Sequence, residues 1–159
     1  MTYTVTGLAR EDFADLFTLD DAKLAERGAR RVIAEADAGW PCRIALRDAR
    51  KGDRMILLHH VSHDVATPYR SAYAIYVGEN SQEAEPYVDA VPPVLAGRPI
   101  AFRGFDEAGN LRAATLSPPG EADAGIRELL LRPEVSYIHA HNAAHGCFAA
   151  RIDRSGGAS

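Results

Sequence analysis

Residues 137–152, YIHAHNAAHGCFAARI, contain two alternating segments on either side of a short turn, a pattern typical of a β-hairpin. Side chains two residues apart on a strand lie on the same face of that strand. Tyr137, His139 and His141 are therefore expected together on one face. The opposite face is apolar and is expected to join the core through Ile138, Ala140, Phe148, Ala150 and Ile152.

The preceding sequence predicts further strands, most of them joined by turns. Met55–Val61 and Ala72–Val77 are apolar and rich in strand-forming residues. Ile100–Phe105 and Leu111–Leu116 flank Asp106–Asn110, which predicts a hairpin with a five-residue loop. Short helices are predicted over Glu11–Phe17, from an N-cap at Thr18 to Gly28, and from Glu121 to Pro133. Strands and helices do not alternate regularly, so the prediction is an α+β fold with an antiparallel or mixed β-sheet of about seven strands and a few short helices.

Length and composition are typical of one domain. The chain has 159 residues, of which 47% are apolar and 25% charged, so we expect a single globular domain over 1–154 and a flexible tail over 155–159. A net charge of −4 argues against binding to nucleic acid, and no apolar run is long enough to span a membrane. The first residues lack a basic segment followed by an apolar one, so we expect a cytoplasmic location. A homo-oligomer is compatible with this composition.

The predicted hairpin also contains the strongest candidate for a chemical site. With 142–146 as the loop, strand pairing places His141 opposite Cys147, His139 opposite Ala149 and Tyr137 opposite Arg151. Cβ atoms of directly opposed residues lie about 4.5–5.5 Å apart. One face would therefore gather two imidazoles and a thiol. A slip of one residue in the register would send Cys147 to the core side and separate this group.

Three interpretations of this group are open. Cys147 could be a nucleophile, with His141 or His139 as its base and no cofactor. Alternatively, His139, His141 and Cys147 could bind a transition metal such as zinc, with Cys42 or a histidine of the 59–63 segment as the fourth ligand. In the third interpretation these polar residues are only packed together, in a module that binds a ligand or protein without catalysis. P-loop, dinucleotide-binding, zinc-protease and Cys-x-x-Cys motifs are absent from the sequence.

Several other residues are candidates for holding an anionic small molecule at the same site. Arg43 follows Cys42, and a guanidinium both binds anions and favours a neighbouring thiolate. Tyr69 and Arg70 belong to a turn that could act as a ligand loop. Asn142 and Arg151 flank the histidines and the cysteine on the predicted hairpin.

Four segments of the chain resemble a family of small, mostly bacterial proteins known only as a domain of unknown function. They are Gly-Trp-Pro-Cys-Arg at 39–43, Thr-Pro-Tyr-Arg at 67–70, Ala-Ile-Tyr-Val at 74–77, and His-Ala-His-Asn with Gly-Cys-Phe-Ala-Ala-Arg between 139 and 151. The C-terminal motif is the most specific of the four. The resemblance implies a stand-alone, single-domain protein, and it supplies no catalytic roles that could be transferred to these residues.

Overall fold

Short helices and antiparallel strands make up the computed structural model, which describes residues 1–155. The helices are a 3-10 turn at Arg10–Asp12, α1 (Ala14–Phe17), α2 (Asp21–Glu26), α3 (Pro93–Ala96) and α4 (Ala122–Leu130). The strands are β1 (Thr2–Thr6), β2 (Arg30–Ile33), β3 (Pro41–Cys42), β4 (Arg47–Asp48), β5 (Arg54–His63), β6 (Ser71–Gly78), β7 (Tyr87–Val88), β8 (Ile100–Phe105), β9 (Leu111–Ser117), β10 (Tyr137–Asn142) and β11 (Phe148–Ser155).

The strands form three sheets, and this arrangement confirms the α+β class. The largest sheet has six strands in the order β7-β1-β11-β10-β8-β9, the second has the order β2-β5-β6, and β3 pairs with β4. All strand pairs in the described residues are antiparallel. The strands are thus divided over a large and a small sheet with a two-stranded ribbon, where the sequence predicted a single sheet of about seven.

One face of the six-stranded sheet is covered by α4. This helix places Ile126, Leu129 and Leu130 against the sheet, where they are buried with Ile138 and Ile152. These five side chains follow the helical and strand periodicities read from the sequence, because both elements bury one apolar face. The hairpin is thereby fixed with its apolar side to the core.

A second core lies on the three-stranded sheet. Met55, Ile56 and Ile75 from that sheet are buried with Leu24 of α2 and with Ile44, which follows β3. The segment after β3 therefore packs on the smaller sheet. Leu46, only two residues beyond Ile44, is buried in the core of the six-stranded sheet. Residues 42–46 thus cross from one core to the other.

Two local predictions need correction. The N-cap of α2 is Asp20, whose carboxylate accepts a hydrogen bond from Lys23 N at 2.8 Å. The predicted cap Thr18 instead donates its hydroxyl to the carbonyl of Asp15. Ser155, placed in the tail by the sequence, is the last residue of β11 and pairs with Thr2. The rest of the predicted tail, 156–159, lies outside the described residues.

The longest described helix, α4, has nine residues. No helix within residues 1–155 is long and apolar enough to cross a membrane.

Candidate functional site

The hairpin of β10 and β11 has a different register from the predicted one. His141 pairs with Phe148, His139 with Arg151 and Tyr137 with Asp153. The predicted partner of His141, Cys147, is therefore wrong by one residue. The predicted partners of His139 and Tyr137, which were Ala149 and Arg151, are wrong by two residues. Asn142 N donates to Cys147 O, so the loop begins one residue later than predicted.

A β-bulge causes the second shift. Ala140 pairs with Ala150 and His141 with Phe148, which leaves Ala149 as the extra residue of β11. Because side chains alternate along a strand, one inserted residue reverses the faces of the residues beyond it. Ala149 is consequently buried in the core, and Phe148, predicted for the core, packs against the rings of His139 and His141. Cys147 is moved off the histidine face.

The histidine face forms a buried layer of rings. His139 lies 5.0 Å from His63 and 5.0 Å from Phe148, measured between ring centroids. His63 Nδ1 lies 2.8 Å from the carbonyl oxygen of Tyr69 and must donate to it, so Nε2 accepts from the Tyr137 hydroxyl at 2.6 Å. His141 Nδ1 likewise donates to the carbonyl of Gly146 at 2.9 Å.

Burial makes the two strand histidines poor bases. It lowers the pKa of His139 to about 3, with help from the neighbouring His63, and lowers the pKa of His141 to about 4. Both imidazoles are therefore neutral at pH 7. The hydrogen bonds to Cys147 Sγ come from two other side chains, Arg43 and Asn142.

Arg43 is the residue that the fold brings to the cysteine. It directly follows β3, is only 1% exposed, and donates from Nη2 to Cys147 Sγ at 3.0 Å. Its Nε donates to the carbonyl of Phe148 at 2.8 Å and its Nη1 to that of Pro41 at 2.7 Å. Among the described residues Arg43 makes no ion pair with a carboxylate.

The guanidinium of Arg43 stays positively charged although it is buried. Desolvation lowers the pKa of this guanidinium, and the adjacent Cys147 sulfur opposes that shift. An arginine nevertheless keeps its proton in proteins, so a full positive charge remains inside. A buried cation is costly unless an anion lies beside it. The sulfur of Cys147 is the group in contact that can supply a negative charge, as a thiolate.

This cysteine–arginine pair lines a cavity of about 580 Å³. Cys147 is 9% exposed and Asn142 is 7% exposed. The walls are mainly apolar, and the lining includes a second arginine, Arg98, and the exposed His145 but no Asp or Glu. We call this space, between the β10–β11 turn and the β5–β6 strands, the Cys147 cavity. Its remaining lining residues are Gly39, Pro41, Leu57, Tyr73, Ala74, Tyr76, Gly97, Pro99, Ala143 and Ala144.

Asn142, which lines this cavity, has one buried polar side-chain atom with no hydrogen-bond partner among residues 1–155. Its Nδ2 lies 3.4 Å from Cys147 Sγ and donates to it. As a thiolate the sulfur can only accept hydrogen bonds, from Arg43 and from the amide nitrogen, so Nδ2 lies on the sulfur side. The carboxamide oxygen, Oδ1, is buried and has no hydrogen-bond partner in the structure. Such a buried acceptor is rare in a folded protein and calls for a donor.

The other predicted ligand residues lie elsewhere. Tyr69 is exposed, Arg70 pairs with Asp64 at 3.1 Å, and Arg151 pairs with Asp153 at 2.9 Å while its guanidinium stacks on the ring of Tyr137. None of the three lines the Cys147 cavity.

The predicted metal ligands do not come together either. Cys42 Sγ accepts from the backbone N–H of Gly78 at 3.3 Å and lines a separate cavity of about 440 Å³. In residues 1–155, no group of three or more His, Cys, Asp or Glu side chains is arranged to hold a metal ion. The structure therefore does not bring Cys42 together with His139, His141 and Cys147.

Two cavity residues were missed by the sequence reading. Arg98 lies in the connection between β7 and β8 and forms an ion pair with Asp48 at 2.6 Å. His145 lies in the β10–β11 turn. Neither position stands out by periodicity or motif. Only their place in the lining of the Cys147 cavity, which the fold sets, identifies them.

The fold and the site together define a class: an α+β protein with a buried cysteine–arginine pair at a mainly apolar cavity. The chain belongs to the family described as Protein of unknown function (DUF1203), whose model matches residues 39–154 and so includes Arg43, Asn142 and Cys147. This membership confirms the resemblance to a family of unknown function. No curated protein and no solved structure matches the chain.

Proposed function

We propose that the protein performs thiol-dependent chemistry on an anionic small molecule, with Cys147 as the nucleophile. The observation that carries the proposal is the fully buried Arg43, which has no carboxylate partner among residues 1–155 and lies 3.0 Å from Cys147 Sγ. A guanidinium in that position favours the thiolate, which is the nucleophilic form of cysteine. Arg43 takes the role for which the sequence proposed His141 or His139.

In the proposed step, the thiolate attacks an electrophilic carbon of the bound molecule. An S–C bond forms with the electron pair of sulfur, and the bond from that carbon to a leaving group breaks, so that the leaving group departs with its electron pair. The sulfur loses its negative charge as the bond forms. The guanidinium of Arg43 is then left to balance an anionic group, which is the reason to expect an anion as substrate.

The lining of the Cys147 cavity also supports an anionic ligand. Arg43 and Arg98 both contribute to it, and no carboxylate from the described part of the chain does. His145 can add a further positive charge at the exposed turn when it is protonated. Part of the Arg98 charge is balanced by Asp48, so Arg43 is the main cationic group at the sulfur.

A cytoplasmic location belongs to this proposal. Cys42 and Cys147 are both free thiols, as expected in a reducing compartment, where a catalytic thiolate also stays reduced.

The test is the pH dependence of alkylation at Cys147, measured on its own peptide by mass spectrometry so that Cys42 does not interfere. We expect the rate at pH 6.5 to be at least about a tenth of its high-pH plateau, whereas an ordinary thiol with a pKa of about 8.5 would reach about a hundredth. The ratio of the iodoacetate rate to the iodoacetamide rate should also be higher at Cys147 than with glutathione. A wild-type rate that rises only above pH 8 contradicts the proposal.

Variants of the arginine assign the effect. Arg43→Met should shift the profile to that of an ordinary thiol, and Arg43→Lys should keep part of the low-pH rate because it retains a charge. Cys42→Ala is the matched control, since this cysteine is also buried but contacts backbone N–H groups, and it should leave the Cys147 profile unchanged.

A further inference from the structure

We infer that the substrate carries an N–H or O–H group beside its electrophilic carbon, and that this group donates a hydrogen bond to Asn142 Oδ1. The inference rests on the proposed function and specifies its substrate class. It starts from Asn142, a residue that lines the Cys147 cavity and whose buried carboxamide oxygen has no hydrogen-bond partner among residues 1–155. Asn142 has no charge, so it would act by orienting the substrate.

Geometry places the acceptor at the reacting atoms. Nδ2 of Asn142 is in contact with Cys147 Sγ, and Oδ1 is bonded to the same carbon as Nδ2. A donor that reaches Oδ1 is therefore held within a few ångströms of the sulfur. A molecule with its donor one or two bonds from the electrophilic carbon can place that carbon on Sγ and the donor on Oδ1 together.

The backbone fixes the orientation of Asn142. Its N–H donates to the carbonyl of Cys147 at 3.0 Å, and its carbonyl accepts from Gly146 N at 2.8 Å. Gly146 has φ of +80°, a conformation that favours glycine, so the turn is built to hold these bonds. The amide side chain is thus presented from a closed turn, with its nitrogen side occupied by sulfur.

The remaining lining narrows the class further. Pro41, Leu57 and Pro99 make the walls apolar, and Arg43 requires an anionic group when the sulfur charge is consumed. The structure therefore points to an anionic compound with an apolar part and an N–H or O–H donor close to the electrophilic carbon. A carboxylated amide has all of these features.

Three alkylating probes test the donor requirement: iodoacetamide, 2-iodo-N-methylacetamide and 2-iodo-N,N-dimethylacetamide. In each reaction the S–C bond forms and iodide leaves, and the nitrogen lies two bonds from the attacked carbon. The rates at Cys147 are divided by those with glutathione, which removes intrinsic reactivity. We expect the normalised rates of the first two probes to exceed that of the dimethyl probe by roughly fivefold, which is the factor that corresponds to one hydrogen bond.

The N-methyl probe separates hydrogen bonding from size, because it is larger than iodoacetamide but keeps one N–H. If it reacts as slowly as the dimethyl probe, or if all three normalised rates are equal, the inference is overturned. Both outcomes are measured on the wild-type protein and do not depend on any variant folding.

Two variants then assign the donor preference to Asn142. In Asn142→Leu the new side chain has a similar shape without polar atoms. The ratio of the normalised iodoacetamide rate to that of the dimethyl probe should then fall to about one. Asn142→Asp keeps an acceptor oxygen but loses the donor to sulfur, so the ratio should persist while the absolute rate falls. If alkylation of Cys147 has the pH profile of an ordinary thiol, the proposed function itself is contradicted. If the rate at low pH is high as expected but the three probes react equally, only the donor requirement is contradicted.

Discussion

Arg43 and His139 are both ionisable side chains that the fold removes from water, and they respond to burial differently. Arg43 cannot give up its proton, so it is surrounded by three acceptors, two carbonyls and the Cys147 sulfur. His139 remains neutral, because burial lowers its pKa to about 3. The buried positive charge of Arg43 therefore lies beside the Cys147 sulfur, whereas His139 is uncharged at neutral pH.

The neutral histidines predict a stability that decreases in mild acid. His139 and His141 take up protons in the folded state only near pH 3 and pH 4, whereas an unfolded chain takes them up near pH 6.5. Between these values the unfolded state binds more protons, so the free energy of unfolding falls as the pH drops below 6.5, until the folded-state pKa values are reached. At pH 5 we expect a loss on the order of 2 kcal/mol per histidine relative to pH 7.5.

Urea denaturation at both pH values measures this loss, and most carboxylates titrate below the interval. His139→Gln should remove on the order of 2 kcal/mol of the difference, the share of one buried imidazole, and the exposed His59→Gln should leave it unchanged. NMR titration of either buried imidazole near its usual pKa would contradict the assignment.

The two strands of the C-terminal hairpin could be predicted from the sequence, but the register could not. Alternation of apolar and polar residues identifies strands and their faces, and Ile138, Ala140, Ala150 and Ile152 are buried as predicted. The bulge at Ala149 leaves no trace in that alternation, because Phe148 and Ala149 are both apolar and either could face the core. The faces of Phe148 and Cys147 depend on this one inserted residue.

The rest of the fold shows the same division between local and tertiary information. The hairpin of Ile100–Phe105 and Leu111–Ser117 has the predicted five-residue loop, because its apolar runs and turn residues are local signals. The two-residue strands β3, β4 and β7 are too short for any periodicity. β3 leads directly to Arg43, so the contact between Arg43 and Cys147, 104 residues apart, could not be predicted.

The packing of α4 on the large sheet depends on Gly125. Glycine weakens a helix, and alanine in its place normally stabilises it by about 1 kcal/mol. Here an added Cβ would collide with the Ser117 hydroxyl and lie 3.3 Å from the ring of Phe102. We therefore expect Gly125→Ala to lower the free energy of unfolding by about 2 kcal/mol, as measured by urea denaturation.

A double-mutant cycle distinguishes this collision from other effects. Ser117→Ala removes the hydroxyl, so the double variant should be more stable than the sum of the single effects by at least about 1 kcal/mol. If the effects of Gly125→Ala and Ser117→Ala on the free energy of unfolding simply add, the added methyl group does not collide with the Ser117 hydroxyl.

At the scale of the molecule, Arg43 joins two separately packed cores. The segment that carries it contributes Ile44 to the core of the small sheet and Leu46 to that of the large one. The Arg43 side chain donates to the carbonyl of Phe148, on the large sheet, and so crosses the same boundary. The Cys147 cavity lies where these two halves meet, as ligand sites commonly do.

Arg43→Met should therefore weaken the whole structure as well as the thiolate. It leaves the carbonyls of Phe148 and Pro41 without this donor and the Cys147 sulfur with only the amide of Asn142, and we expect the free energy of unfolding to fall by about 3–5 kcal/mol. Urea denaturation is followed by far-UV circular dichroism, which reports both sheets, and by fluorescence of Trp40, the one tryptophan of the chain, which packs against Tyr76.

Because Arg43 contacts both halves, the two signals should move together to lower urea concentration. The exposed Arg50→Met, which removes a surface charge near the same segment, should change the free energy by less than about 0.5 kcal/mol. A shift of the Trp40 signal alone would mean that Arg43 stabilises only the small sheet. The contact between Arg43 and Cys147 would then not contribute to the stability of the large sheet.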